Sequence, residues 1–278
     1  MGHSAKYGSY TLMELEENKI INIQLVQSNE VKSSCHMELE GLKRSLYCLT
    51  TMKMKIKVLV TDRHSMIQKY LRESCPSITH YYDVWHIAKG LKKKLVALSN
   101  TKGCELVGKW IKSITNHLYW VASTSNGDSE LAKAKWDSLM SHIQNVHKHH
   151  ADSRFPRCTH KKLRRKWLKP GEEVTIKLSD IIEKSTMRRD VAKMSPLGQT
   201  SALEGYHSLV NHFAPKMIHF SYHVMEARLR LAALHYNENA NREQAKNSDG
   251  DNEYSIKYPK AKKGGYVVAK ISAPCTYS

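Results

Sequence analysis

The sequence predicts an α/β protein, a mixed sheet carrying helices and interrupted by an all-α insertion. Three observations lead there. Two β-prone runs flank a short polar turn near the amino terminus, short apolar runs then alternate with helical spacing, and strand signals disappear from about residue 101 to 182.

Tyr10 to Leu15 and Ile20 to Val26 are the β-prone pair, and Glu16-Glu17-Asn18-Lys19 between them suits a hairpin turn. Ser33-Ser34 opens a helical run in which Met37, Leu39, Leu42, Leu46 and Cys48 form one apolar stripe. Glu38 and Glu40 sit in its early turns, where the helix dipole favours them. Ile56 to Val60 is a short continuous apolar strand of the kind covered on both faces. His64 to Arg72 reads as a helix closed by Pro76. Ile78 to Tyr82 is the next strand and Val84 to Leu98 the next helix.

The insertion that follows is basic and punctuated by Trp110, Trp120, Trp136 and Trp167, expected to form a small core of its own rather than a base-stacking platform. Pro196 and Gly198 then break the chain ahead of helices over Ala202 to Phe213 and about Ser221 to Ala245. A polar loop, 247–252, leads into a basic tail with β-like pieces. The expected organisation is a core from 1 to 100, a helical insertion over 101–185, core helices over 186–246 and a tail over 247–278.

The chain has 278 residues and a formal net charge of +18. A field of that sign favours a polyanion, most often nucleic acid, by releasing condensed counterions. The excess is clustered: Lys92, Lys93 and Lys94 form one group, and Lys161, Lys162, Arg164, Arg165 and Lys166 another. These are the candidate phosphate contacts, and such basic runs also suit nuclear import. No stretch approaches the roughly 18 apolar residues of a membrane span, and the first residues lack the apolar core of a signal peptide. The six cysteines form no CxxC pair, which suits reduced thiols in a cytosolic or nuclear protein.

No nucleophile elbow, P-loop or dinucleotide fingerprint is present. His147, His149, His150, Cys158 and His160 gather within fourteen residues and raise the question of zinc. Their paired spacing is poor, with Cys158 and His160 only two apart, so the segment reads as a histidine-rich basic connector.

Asp62 and Asp83 each end an apolar strand. An aspartate there stands where open α/β sheets hold their ligands, and converging carboxylates can hold divalent cations for phosphodiester chemistry. Each aspartate can equally be an ordinary helix cap. Glu204 has the same ambiguity, because Ser201-Ala202-Leu203-Glu204 is a capping box. His207, three residues on, shares a helix face with it.

"VTDRHSMIQKYLRE", followed about twenty residues later by "YYDVWHIAKGL", resembles the DDE transposases, nearest to the Mutator-like and Kolobok-like groups. That resemblance implies an RNase H-like mixed sheet with an all-α insertion before the last catalytic helix. It implies Asp62 as the second catalytic aspartate and Asp83-Val84-Trp85-His86 as the (C/D)xxH motif. Glu204, in "GQTSALEGYHSLVNHFAPK", becomes the last catalytic residue. Asp62 and Glu204 would then ligate Mg2+ or Mn2+, with Asp83, His86 and His207 in support. An alternative makes Asp62 and Asp83 the first and second catalytic aspartates.

The family's first aspartate should precede the hairpin, yet MGHSAKYGS contains no acid. The resemblance therefore implies an amino-terminally truncated, transposase-derived protein whose metal-dependent DNA cleavage and strand transfer are lost. DNA is the expected partner, with a homo-oligomer possible in such families and a nuclear location. The rival expectations are a non-catalytic basic DNA-binding or assembly protein, and a structural nuclear protein whose aspartates only cap helices.

Overall fold

Tyr7–Met13 (β1) and Ile20–Gln27 (β2) pair antiparallel, with Tyr7 opposite Gln27 and a bulge between Leu12 and Met13. The turn between them is held by Glu14. Its carboxylate accepts the Glu16 and Glu17 N–H groups at 2.8 and 2.7 Å, and those two bonds hold the carboxyl below its usual range. This hairpin is the first element of a computed structural model that describes residues 5–197, 201–259 and 264–275.

The chain forms two compact units, one from residues 1–53 with 201–278 and the other from 54–200. In the first unit, Ser34–Thr51 (α1) packs on the hairpin and buries Met37, Leu42, Leu46 and Leu49. Gly41 allows the close approach: a Cβ there would stand 2.4 Å from the Cβ of Tyr10. This unit also holds the last two helices of the chain. The helix Ser201–Phe213 takes its place below as α8, and Tyr222–Asn239 as α9. Asn237 of α9 acts as a strand partner for Ile20. Its Oδ1 accepts the Ile20 N–H at 2.7 Å and its Nδ2 donates to the Ile20 carbonyl at 2.9 Å.

In the second unit, Val58–Thr61 (β3), Ser65–Ser74 (α2), Thr79–Tyr82 (β4) and Val84–Ser99 (α3) follow in strict alternation. β3 and β4 pair in parallel, with Val58 opposite Thr79 and Thr61 opposite Tyr82. The far edge of β4 is occupied too, since the Tyr82 N–H donates to the Lys193 carbonyl at 2.7 Å and the Ser195 N–H to the Tyr82 carbonyl at 3.0 Å.

Glu105–Thr124 (α4), Ser129–Ile143 (α5), Glu173–Ile182 (α6) and Ser185–Ala192 (α7) complete this unit. Asp128 caps α5 by accepting the Glu130 and Leu131 N–H groups at 2.9 and 3.0 Å. Trp110 and Trp136 lie at the centre of its core, and Trp120 and Trp167 pack partly buried against it. Trp110 and Trp136 are therefore core residues, with Trp120 and Trp167 at its edge. Tyr254–Lys257 (β5) and Val267–Lys270 (β6), in the first unit, form an antiparallel pair within the expected tail.

The fold is thus mixed α/β, with helices over most of 105–143 and 173–192 and a non-helical stretch between them. Two features differ from the sequence reading. Among the described residues the strands pair two by two, in three two-stranded sheets, rather than in one mixed sheet. The compact units also cut the chain at 53/54 and 200/201, so that β3, β4 and α3 group with the helical segment and not with the hairpin. The physical reason is packing: the apolar face of α3, with Ile87, Leu91, Leu95 and Leu98, is buried against α4 and α6 in one core. No helix among the described residues is long and apolar enough to cross a membrane.

Candidate functional site

Because β3 and β4 run parallel in register, the residues that follow them emerge at the same end of the pair. Asp62 follows Thr61 and Asp83 follows Tyr82, and the Asp83 N–H donates to the Thr61 carbonyl at 2.8 Å. The two carboxylates meet different surroundings. Asp83 is buried, caps α3 by accepting the Trp85 N–H at 3.0 Å through Oδ1, and meets Nδ1 of His86 at 2.8 Å through Oδ2. Asp83 thus joins the α3 cap to the His86 ring at the strand end.

Asp62 is half-buried, and its Oδ1 is buried with no hydrogen-bond partner among the described residues. The capping position of α2 is His64, so Asp62 is not that helix's N-cap. A buried carboxylate oxygen without a donor is costly unless a cation or donor meets it. Arg63, next along, is ion-paired with Asp190 instead.

Glu204 and His207 lie on α8. Leu203, Tyr206, Val210 and Phe213 turn one face of that helix into the core of the first unit, which leaves Glu204 and His207 on the exposed face together. Burial pushes the Tyr206 phenol up to about 12. Asp62 belongs to the second unit and Glu204 to the first. The capping box expected over Ser201–Glu204 needs the Ser201 side chain, which lies outside what the structure describes.

The sheet end also carries a titratable group. Thr61 Oγ1 donates to the Asp62 carbonyl at 2.8 Å, so it accepts from Nε2 of His80, also at 2.8 Å. Burial, reinforced by the charge of Lys193, lowers the His80 pKa from 6.5 to about 4. The unfolded chain therefore takes up this proton below about pH 6.5, while the folded chain resists it until about pH 4. Its contribution is present at neutral pH and is lost as the pH falls through that window. Urea midpoints are expected to drop between pH 7 and pH 4.5, and His80→Gln, which keeps a donor at the same place, should flatten that drop. An unchanged pH profile in the variant would contradict the assignment.

The basic residues are exposed in both clusters. Lys92, Lys93 and Lys94 project from α3 between the buried Leu91 and Leu95. Lys161, Lys162, Arg164, Arg165 and Lys166 lie on a segment that is neither helix nor strand, and none of the five is ion-paired among the described residues. The segment is tied down at its carboxyl end: the Trp110 indole N–H donates to the Lys166 carbonyl at 3.2 Å, and the Leu168 N–H to the Ile143 carbonyl at 3.2 Å. Arg165 also lies over the Trp110 ring at 4.5 Å.

At the other end of this segment the structure gathers side chains that spacing alone does not bring together. One ligand atom from each of His142, His147, Cys158 and His160 lies within 4.8 Å of the others. His142 stands in the last turn of α5. Asn145, with φ of 64°, turns the chain back, and an antiparallel bridge between Lys148 and Arg157 brings His147 beside Cys158. The chain bends at His160, and Cys158 and His160, two apart, both reach the group. That explains how so short a spacing serves one site.

His149 is exposed, and buried His150 places its Nε2 3.7 Å from the Cys158 sulfur. Three of the five residues marked by sequence therefore converge, joined by His142, whose position inside a helix hid it. Burial lowers the His142 pKa to about 4, with smaller contributions from His160 and His147, and raises that of the Cys158 thiol.

No family model, curated protein or solved structure matches the chain.

Proposed function

We propose that the chain is a transposase-derived, nuclear protein that binds DNA through its phosphates. The observation that carries this reading is the segment with Lys161, Lys162, Arg164, Arg165 and Lys166, exposed and without carboxylate partners among the described residues. Five exposed cations within six residues, on a chain of net charge +18, suit a polyanion better than a solvated surface interleaved with acids. The exposed Lys92–Lys94 cluster, in the same unit, adds to that field.

Duplex binding followed by fluorescence anisotropy over a range of salt concentrations tests the reading. Affinity should fall steeply with salt. Replacing the five cations by glutamine should reduce the slope of log K against log salt by roughly 4–5, at about 0.9 per phosphate contact. An unchanged slope would rule this segment out as the interface.

A second reading is favoured by one specific observation, the unpartnered buried Oδ1 of Asp62 at the shared end of β3 and β4. In that reading Asp62 remains a ligand for Mg2+ or Mn2+, which supplies electrophilic activation of a phosphodiester, and Asp83 with His86 fixes the backbone beside it. Nicking of supercoiled DNA that requires Mg2+ or Mn2+ and disappears in Asp62→Ala would establish it. DNA binding without nicking leaves the first reading alone.

A further inference from the structure

We propose that His142, His147, Cys158 and His160 form a structural zinc site that fixes the root of the basic segment. This goes beyond the DNA reading and does not depend on it.

The distances already approach those of a metal shell. A zinc ion with nitrogen at about 2.0–2.1 Å and sulfur at about 2.3 Å sets neighbouring donor atoms roughly 3.3–3.8 Å apart in a tetrahedron. His142 Nδ1 lies 3.6 Å from the Cys158 sulfur and 3.1 Å from His160 Nε2. The widest separation in the group, 4.8 Å, needs an inward movement of about 1 Å to reach that shell.

The lone pairs are aimed by the groups behind them. His160 donates from Nδ1 to the Lys161 carbonyl at 2.7 Å, which leaves Nε2 as a lone pair facing the group. His147 donates from Nε2 to Asn145 Oδ1 at 3.1 Å, which does the same for its Nδ1. That Nδ1 is buried and has no hydrogen-bond partner among the described residues. A ring nitrogen whose tautomer is set from behind, and whose lone pair meets no donor, is the arrangement metal-binding histidines use. No carboxylate belongs to the group, so three imidazoles converge without an anion other than the thiolate that Cys158 can supply.

Three nitrogens and one sulfur match zinc's preference, and four protein ligands make a closed, structural shell rather than a catalytic one. Binding is balanced by loss of the Cys158 thiol proton to solvent as the sulfur–zinc bond forms. Trp167 packs at 5.2 Å from His147 and 5.9 Å from His142, shielding the site on one side. The consequence is mechanical. His160 immediately precedes Lys161, so a metal there would anchor one end of the basic segment while Trp110 and Leu168 hold the other.

The test uses the full chain, stripped with a chelator and titrated with Zn2+ against a chromogenic competitor, with bound metal counted by mass spectrometry. One equivalent per chain is expected. Cys158→Ser and His142→Ala should each weaken binding by roughly 100-fold or more, and Asn145→Ala by about 10- to 100-fold through the His147 tautomer. His149→Ala should bind as the parent does. Should a ligand variant fail to fold, Co2+ in the parent chain reports independently through its thiolate charge-transfer band. Absence of stoichiometric zinc, absence of that band, or undiminished affinity in folded Cys158→Ser would each reduce the group to a hydrogen-bonded histidine cluster.

Discussion

Trp136→Ala is expected to lower the unfolding free energy of the 54–200 unit by about 3–5 kcal/mol, the range for emptying a large aromatic site. Trp136 is fully buried on α5 and packs in the core that joins α3, α4, α6 and α7. Its indole N–H donates to the Ile182 carbonyl, the last residue of α6, at 2.9 Å. Truncation leaves both a cavity and a buried carbonyl without its donor. Trp136→Phe separates the two effects, because it retains much of the volume and loses only the bond, at about 1–3 kcal/mol. Urea unfolding followed by far-ultraviolet circular dichroism measures both. A Trp136→Ala chain within about 1 kcal/mol of the parent would mean that this residue is not at the centre of the core.

Gly41→Ala should destabilise the other unit by about 1–3 kcal/mol, the usual effect of forcing a methyl into a packed contact. The sign is what makes the experiment sharp. In an exposed helix the same change stabilises by up to about 1 kcal/mol, since alanine is the better helix former. At Gly41 the added Cβ would lie 2.4 Å from Tyr10 Cβ, so α1 and β1 would have to separate. Gly205, on the exposed face of α8, has nothing within 4 Å of an added Cβ. Gly205→Ala should therefore stabilise while Gly41→Ala destabilises. Equal signs in thermal unfolding would refute the close packing of α1 on the hairpin.

Local elements were readable because their signals are local. The apolar run read over Ile56 to Val60 overlaps β3, the helix read from Val84 is α3, and the turn read over Glu16 to Lys19 lies in the observed hairpin, each from a few neighbouring residues. The grouping of elements was not readable, because it depends on which apolar faces meet. The stripe Ile87, Leu91, Leu95 and Leu98 announces a buried face of α3 but not that α4 and α6 cover it.

The candidate sites divide in the same way. The Asp83–His86 contact was legible, being between two residues three apart in one helical turn. The cap that Asp62 could have been was an equally good local reading, and only the structure moves that position to His64. The histidine–cysteine group was half legible. His147, Cys158 and His160 are close in sequence, whereas His142 is recruited by the turn at Asn145 and the bridge at Lys148 and Arg157.

The first unit is built from two stretches of chain separated by the whole of residues 54–200. On a ribosome, at about 5–20 residues per second, roughly ten to forty seconds would separate the emergence of the hairpin from that of α8 and α9. The intervening unit is contiguous and can close its own core within that interval. The hairpin cannot, because Ile20 is buried among Tyr206, Ala232 and Ala233, all made last. Synthesis thus runs in an order opposite to need, with the earliest strands waiting longest for their cover. During that wait the nascent chain offers a strand pair that α1 covers but α8 and α9 do not, a half-covered form in which chaperones and aggregation compete for it.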